Sequence, residues 1–324
     1  MVRDRSFHDR FAAVAPETLP RRKLGTFVAI AFGLHWLPAA YFIAEGVSVT
    51  GRNFSTAAFN AVILVASFTP ALATVLTRWL TGEGLSRDQL LLRPDLRANW
   101  RTYLAAAITP LLLAVFGAVV YFAVFPAYLV DAPFETFAAT VAIGSVGTAG
   151  TIAVAVVVTL LSLGVGALVV MGEELGWRAY LLPKLSPLGL RRATLLTGVL
   201  WGVWHFPYIY LGVNYPNQTW LGMAAIAWVT TLYGTFLAWG TYRTGSVWPA
   251  AVGHAAFNTS SRWGPAVAEQ TPNLALGPTT GGVLASAGWL AVAGWLLARS
   301  SVFDATSEIS DSEPRRDPGG ENRR

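Results

Sequence analysis

Two adjacent carboxylates and an arginine, Glu173-Glu174-x-x-x-Arg178, stand just beyond an uncharged apolar run from Thr151 to Val170. On a helix, residues four apart share a face, so Glu174 and Arg178 can pair while Glu173, rotated by roughly 100°, stays free. A charged side chain at the centre of a bilayer helix costs about 2.5 to 3.5 kcal/mol on insertion scales, so each one asks for a reason. Two histidines lie in later apolar runs. His205 follows Trp201 by one helical turn, and His254 precedes Asn258 by one turn. Together these types suit hydrolysis: a Glu carboxylate as general base on water, a His sharing the proton, and a His/Asn pair holding the developing oxyanion. The same Glu, His, His set could instead hold zinc, whose catalytic sites take three N or O ligands plus water. Plainer readings exist for each group alone, an interfacial cap for the Glu/Arg cluster and helix packing for each His. His35 has Trp36 beside it but no comparable partner and is read as packing; His8 falls in the N-terminal tail.

The elements that must position these residues are set by composition. Of 324 residues, 54% are hydrophobic, 12% aromatic and only 13% charged, where an ordinary soluble domain carries about 25% charge. Mean hydropathy is +0.48. The absence of cysteine removes disulfides, thiolate metal sites and cysteine nucleophiles together. Basic residues are nearly all Arg and cluster between apolar runs or in the tails, which fits a membrane surface and argues against a nucleic-acid partner. The expected fold is all-α, a polytopic transmembrane helix bundle. Since about 20 apolar residues cross the hydrocarbon core, eight spans are expected: 25–44, 54–77, 102–125, 151–170, 193–211, 219–242, 246–259 and 281–298, the seventh being short.

Arg and Lys concentrate before the first span, between the second and third, and between the fourth and fifth, whereas 128–150 and 212–218 carry none. The bias puts both termini on the cytoplasmic side. The first apolar run lacks a small-x-small cleavage site and is read as an uncleaved span. The expected organisation is a basic cytoplasmic segment over 1–24, N-terminal membrane helices and loops over 25–150, a catalytic core over 151–265, a final loop and helix over 266–300, and a polar, disordered cytoplasmic tail over 301–324. No internal repeat is visible, and the candidate residues sit in one half of the chain. That counts against a carrier, which should show two related halves. A non-enzymatic reading, an immunity or scaffold protein or a transporter with a structural or ion-binding cluster, is the alternative.

At these residues the sequence resembles the CPBP family, the CAAX protease and bacteriocin-processing intramembrane proteases that include type II CAAX prenyl endopeptidases. The first family motif is intact as Glu173-Glu174-x-x-x-Arg178, the second, Phe-x-x-x-His, stands as Trp201-x-x-x-His205, and the third is intact as His254-x-x-x-Asn258. The resemblance spans roughly 151–263. It implies a metal-independent, cofactor-free endopeptidase in which Glu173 activates water with help from His205, and His254 and Asn258 stabilise the oxyanion. Glu174 and Arg178 support them. Trp201, larger than the family's Phe, keeps an aromatic wall and bears on substrate fit. The implied partner is a membrane-associated peptide or lipidated protein, in a cell membrane that the Arg-rich composition suggests is prokaryotic. No His-Glu-x-x-His, Gly-x-Ser-Gly or Gly-x-Gly-Asp occurs, so the other intramembrane protease classes are disfavoured.

Overall fold

Proline and glycine cut the apolar runs into helices of unequal length. The computed structural model describes residues 5–48, 56–141 and 147–304. Helix α1 (Arg5–Val14) leads into α2 (Arg21–Ala44), then α3 (Thr56–Ala66) and α4 (Thr69–Thr81), with Pro70 in the first turn of α4. Next come α5 (Leu96–Val124), α6 (Pro133–Val141) and α7 (Gly147–Gly176), which runs through a π-helical turn at Trp177–Leu181 into α8 (Leu182–Leu185). The remaining helices are α9 (Leu190–Trp204), α10 (Phe206–Tyr210), α11 (Thr219–Thr244), α12 (Trp248–Ser260), α13 (Trp263–Ala266) and α14 (Ala287–Arg299). The described residues hold no strand, so the expected all-α fold is found.

Five stretches are helical, long and apolar enough to cross a membrane: Arg21–Ala44, Ala61–Thr81, Leu96–Val124, Ile152–Leu188 and Thr219–Thr244. The other three of the eight expected runs form shorter helices. The run over 193–211 breaks at His205, because Pro207 has no N–H to extend a helix. The run over 246–259 becomes α12, 13 residues long, and that over 281–298 becomes helical only from Ala287 as α14. The basic segment 1–24 carries α1, whose Phe11 ring meets Tyr242 of α11 at 4.7 Å. In the expected tail, Ser301–Phe303 form a 3-10 turn, and the disorder expected beyond it concerns 305–324, outside the described residues.

Large apolar side chains cover the outside of the bundle, among them Leu160, Leu161 and Val165 on α7 and Leu112 and Val119 on α5. A bilayer stabilises such a surface, with each helix satisfying its own backbone. The chain is an integral membrane protein. Inside, α11 is the central helix, packed on α9, α12 and α14. Two pairs of glycines four residues apart make the closest crossings. Side chains at Gly172 and Gly176 would run into Phe68 and Pro70 at the start of α4. A Cβ at Gly198 would sit 2.6 Å from the Cα of Thr231, and one at Gly202 would meet Ala227, so only glycine lets α9 lie this close to α11. Thr230 adds a bond between the same helices, its hydroxyl donating to the Gly198 carbonyl at 3.0 Å.

At one end of the bundle, segments that the charge bias assigns to a single side meet. Lys184 and Lys23 both reach the Glu83 carboxylate, at 2.6 and 3.2 Å, and Arg10 pairs with Asp95. The other Glu83 oxygen accepts from the Tyr180 hydroxyl at 3.1 Å. Burial alone would raise the Glu83 pKa, but the two ammonium groups outweigh it and pull the carboxyl down from 4.5 to about 2.

Candidate active site

Helices α7, α9 and α12, with the π-helical turn after α7 and the residue that caps α9, bring six of the motif residues into one cluster. Glu173 and Glu174 lie inside the Gly172/Gly176 pair, and Trp201 inside the Gly198/Gly202 pair, so the tightest helix crossings carry the polar groups. The pairing expected from the four-residue spacing is present: Arg178 Nη1 donates to Glu174 Oε1 at 2.9 Å, with both side chains sealed from solvent. His254 Nδ1 lies 2.8 Å from the same Oε1. A carboxylate oxygen only accepts, so Nδ1 carries the proton, and Nε2 is the atom of His254 left to meet a substrate. Glu174 thus has two cationic or donor partners, which offsets the large cost of burying its charge.

Glu173 is held differently. Its Oε2 accepts from the Trp201 indole N–H at 2.7 Å, and the carboxylate, unlike that of Glu174, is not paired with an arginine. The Trp201 ring lies under the Arg178 guanidinium, 4.2 Å from ring centre to Cζ, and meets the His254 ring edge-on at 5.1 Å.

His205 owes its place to the end of α9. Its own N–H turns back to Gly202 O, 3.1 Å away, leaving the Trp201 carbonyl without the backbone donor that a continuing helix would supply. The imidazole takes that role, Nδ1 donating to Trp201 O at 2.8 Å. The bond fixes the tautomer. In the neutral ring Nε2 then carries the lone pair that a general base needs. Another carbonyl at this helix end, Trp204 O, is satisfied from α2 by the Trp36 indole at 3.0 Å. His205 lies within Coulombic reach of both Glu173 and His254.

The cluster therefore gathers Glu173, Glu174, Arg178, Trp201, His205 and His254. Asn258 stands apart: it follows His254 by one turn of α12, but it is exposed, and among the described residues its side chain joins none of the site's hydrogen bonds. His35 is buried and stacks on Trp204 with ring centres 3.5 Å apart, in keeping with a packing role, although this places it next to the site. His8 lies on α1, away from these helices in the chain. Sequence reasoning missed Tyr233 of α11, whose buried ring faces Trp201 and His254 at 6.1 and 6.3 Å and stacks on Phe257 at 4.4 Å. No motif marks Tyr233; the two glycine pairs were the available signal for the helix crossings that enclose it. Among the described residues no group of three His, Asp or Glu side chains is arranged to hold a metal ion.

The chain is an all-helical membrane protein with a buried Glu-Arg-His cluster beside a second carboxylate that no arginine pairs. Residues 151–260 match the family described as type II CAAX prenyl endopeptidase, Rce1-like. A stretch of 57 residues is 42% identical to CAAX prenyl protease 2 of Methanococcus maripaludis, covering 16% of this chain and 21% of that protein's length. Both matches support the CPBP/CAAX protease family, in agreement with the three motifs.

Proposed function

We propose that the protein is an intramembrane endopeptidase that hydrolyses a peptide bond near the membrane-anchored end of a lipidated substrate, with Glu173 activating the attacking water. The observation that carries this reading is the division of labour between two adjacent carboxylates. Glu174 is neutralised by Arg178 and orients His254, whereas Glu173 has one oxygen on Trp201 and the other available to a water. A carboxylate in that state can take a proton from water as it attacks the carbonyl. His205, with Nδ1 committed to the helix end, offers Nε2 to share that proton and pass it to the leaving amine.

His254 and Asn258 would face the developing oxyanion. Donation from His254 Nε2 requires the imidazolium, whose charge Glu174 would balance at Nδ1. Asn258, exposed one turn further along, is placed to meet a bound chain from the lipid or aqueous side. The substrate class follows from the relatives' names: a prenylated or otherwise lipid-modified protein fits a site enclosed by membrane helices. With both termini cytoplasmic, as the charge bias requires, the basic end that holds Glu83, Lys23 and Lys184 faces the cytoplasm of a prokaryotic cell.

The test is cleavage of a lipidated reporter peptide by the purified protein in detergent, comparing wild type with Glu173→Gln and His205→Ala, each with and without a chelator. Cleavage by wild type, a loss of at least about a hundredfold in folded variants, and indifference to chelator are expected. Inhibition by chelator would move the same residues to a metal-dependent reaction. Undiminished cleavage by Glu173→Gln would remove Glu173 from the chemistry.

A further inference from the structure

Trp201 touches more of the cluster than any other side chain in it. Its indole N–H donates to Glu173 Oε2 at 2.7 Å, its carbonyl accepts from His205 Nδ1 at 2.8 Å, and its ring meets both the Arg178 guanidinium and the His254 imidazole. The sequence pattern suggested only an aromatic wall, since the resemblance puts Phe at this position. Phe would keep the wall, the carbonyl bond to His205 and a face for Arg178. It has no N–H for the carboxylate.

We infer that Trp201 is a positioning residue for the water-activating carboxylate, acting through its indole N–H. The inference rests on the endopeptidase reading of Glu173. A carboxylate on a helix turns freely about its last torsion, which is broad and roughly two-fold. A charge-assisted hydrogen bond from a ring that is itself packed on Arg178, His205 and His254 removes that freedom. It commits Oε2 as acceptor and leaves Oε1 as the oxygen that meets water. Since Trp201 is 3% exposed, bulk water cannot readily replace its indole as the donor. Holding a base in its reactive orientation acts on the chemical step and not on the affinity for a lipidated chain.

Replacing Trp201 by 3-benzothienylalanine, through stop-codon suppression in the full-length protein, tests this directly. The analogue keeps the bicyclic shape, the face under Arg178 and the main-chain carbonyl, and exchanges the N–H for sulfur. We expect kcat on the lipidated reporter to fall by about tenfold or more with KM held within about twofold, and Trp201→Phe to show the same split. A second readout needs no substrate. The indole ¹⁵N–¹H resonance that disappears in Trp201→Phe should move upfield in Glu173→Gln, where a neutral amide oxygen replaces the charged acceptor. Wild-type kcat in the benzothienyl protein would overturn the proposal, as would an indole resonance indifferent to Glu173→Gln. If no form cleaves any reporter, the endopeptidase reading fails on its own, and the resonance still decides whether Trp201 holds Glu173.

Discussion

Removing the Arg178 guanidinium would leave Glu174 sealed inside the bundle with His254 as its remaining polar partner. Breaking one side of a buried ion pair costs about 3 to 5 kcal/mol, because the abandoned charge stays desolvated. Arg178→Ala should therefore lower stability by that order, read from denaturant unfolding in mild detergent. Arg178→Lys should recover only part of it, since an ammonium lacks the planar face that lies on Trp201. An unchanged unfolding midpoint in Arg178→Ala would show that the pair is not structural. The four-residue spacing made this pairing legible in the sequence. The His254–Glu174 bond was not legible, because it joins residues 80 apart whose contact depends on how α12 crosses α7. The identity of Trp201 was visible, but not the direction of its N–H, since an aromatic in a pattern declares its bulk and not its rotamer.

At the scale of helices, the site depends on how closely α9 approaches α11. Gly198 sits against the backbone of Thr231 and Gly202 against Ala227, while Thr230 bonds the Gly198 carbonyl. A methyl group at Gly198 has only backbone to displace, and one at Gly202 would meet the Ala227 backbone and the Thr230 hydroxyl. Overpacking of this kind costs about 1 to 3 kcal/mol, and any shift of α9 carries Trp201 and His205 away from α7 and α12. Gly198→Ala should thus lower thermal stability in detergent and reduce cleavage more than stability alone explains, when both are compared below the melting transition. Retention of wild-type stability and turnover would mean that the crossing is not tight. The hydropathy of the chain showed where membrane helices lie but ran 193–211 together as one span. Pro207 was the signal for the break at His205, and that break has a consequence: it frees the carbonyl that orients the imidazole. Likewise α12 is too short for an ordinary crossing, yet most of it is buried, because neighbouring helices and not lipid surround it.

For the whole molecule, Glu83 ties three distant segments at one end of the bundle. Lys23 belongs to α2, Glu83 follows α4, and Tyr180 and Lys184 follow the helix that carries Glu173 and Glu174. The helix that carries Glu173 and Glu174 is thereby anchored, just past these residues, to helices that contribute none of the candidate cluster. Charge patterning in the sequence placed these segments on one side, although nothing in it chose Glu83 as their meeting point. The tie has a pH signature whose sign follows from the lowered pKa. Glu83 titrates near 2 in the folded protein against an ordinary 4.5, so its ionised form is stabilised by folding. Its contribution is present in full above about pH 4.5 and is lost as pH falls towards 2, where the carboxyl protonates in both states. Other carboxylates titrate over the same range, so the informative quantity is the difference between wild type and Glu83→Gln. Melting temperatures measured in detergent from pH 6 to pH 2.5, values chosen to bracket that window, should show wild type above the variant at the neutral end. The gap should narrow steadily on acidification. A gap that stays constant with pH would mean that the Glu83 charge contributes nothing to holding the ends together, leaving packing among α2, α4 and α7 to anchor the site.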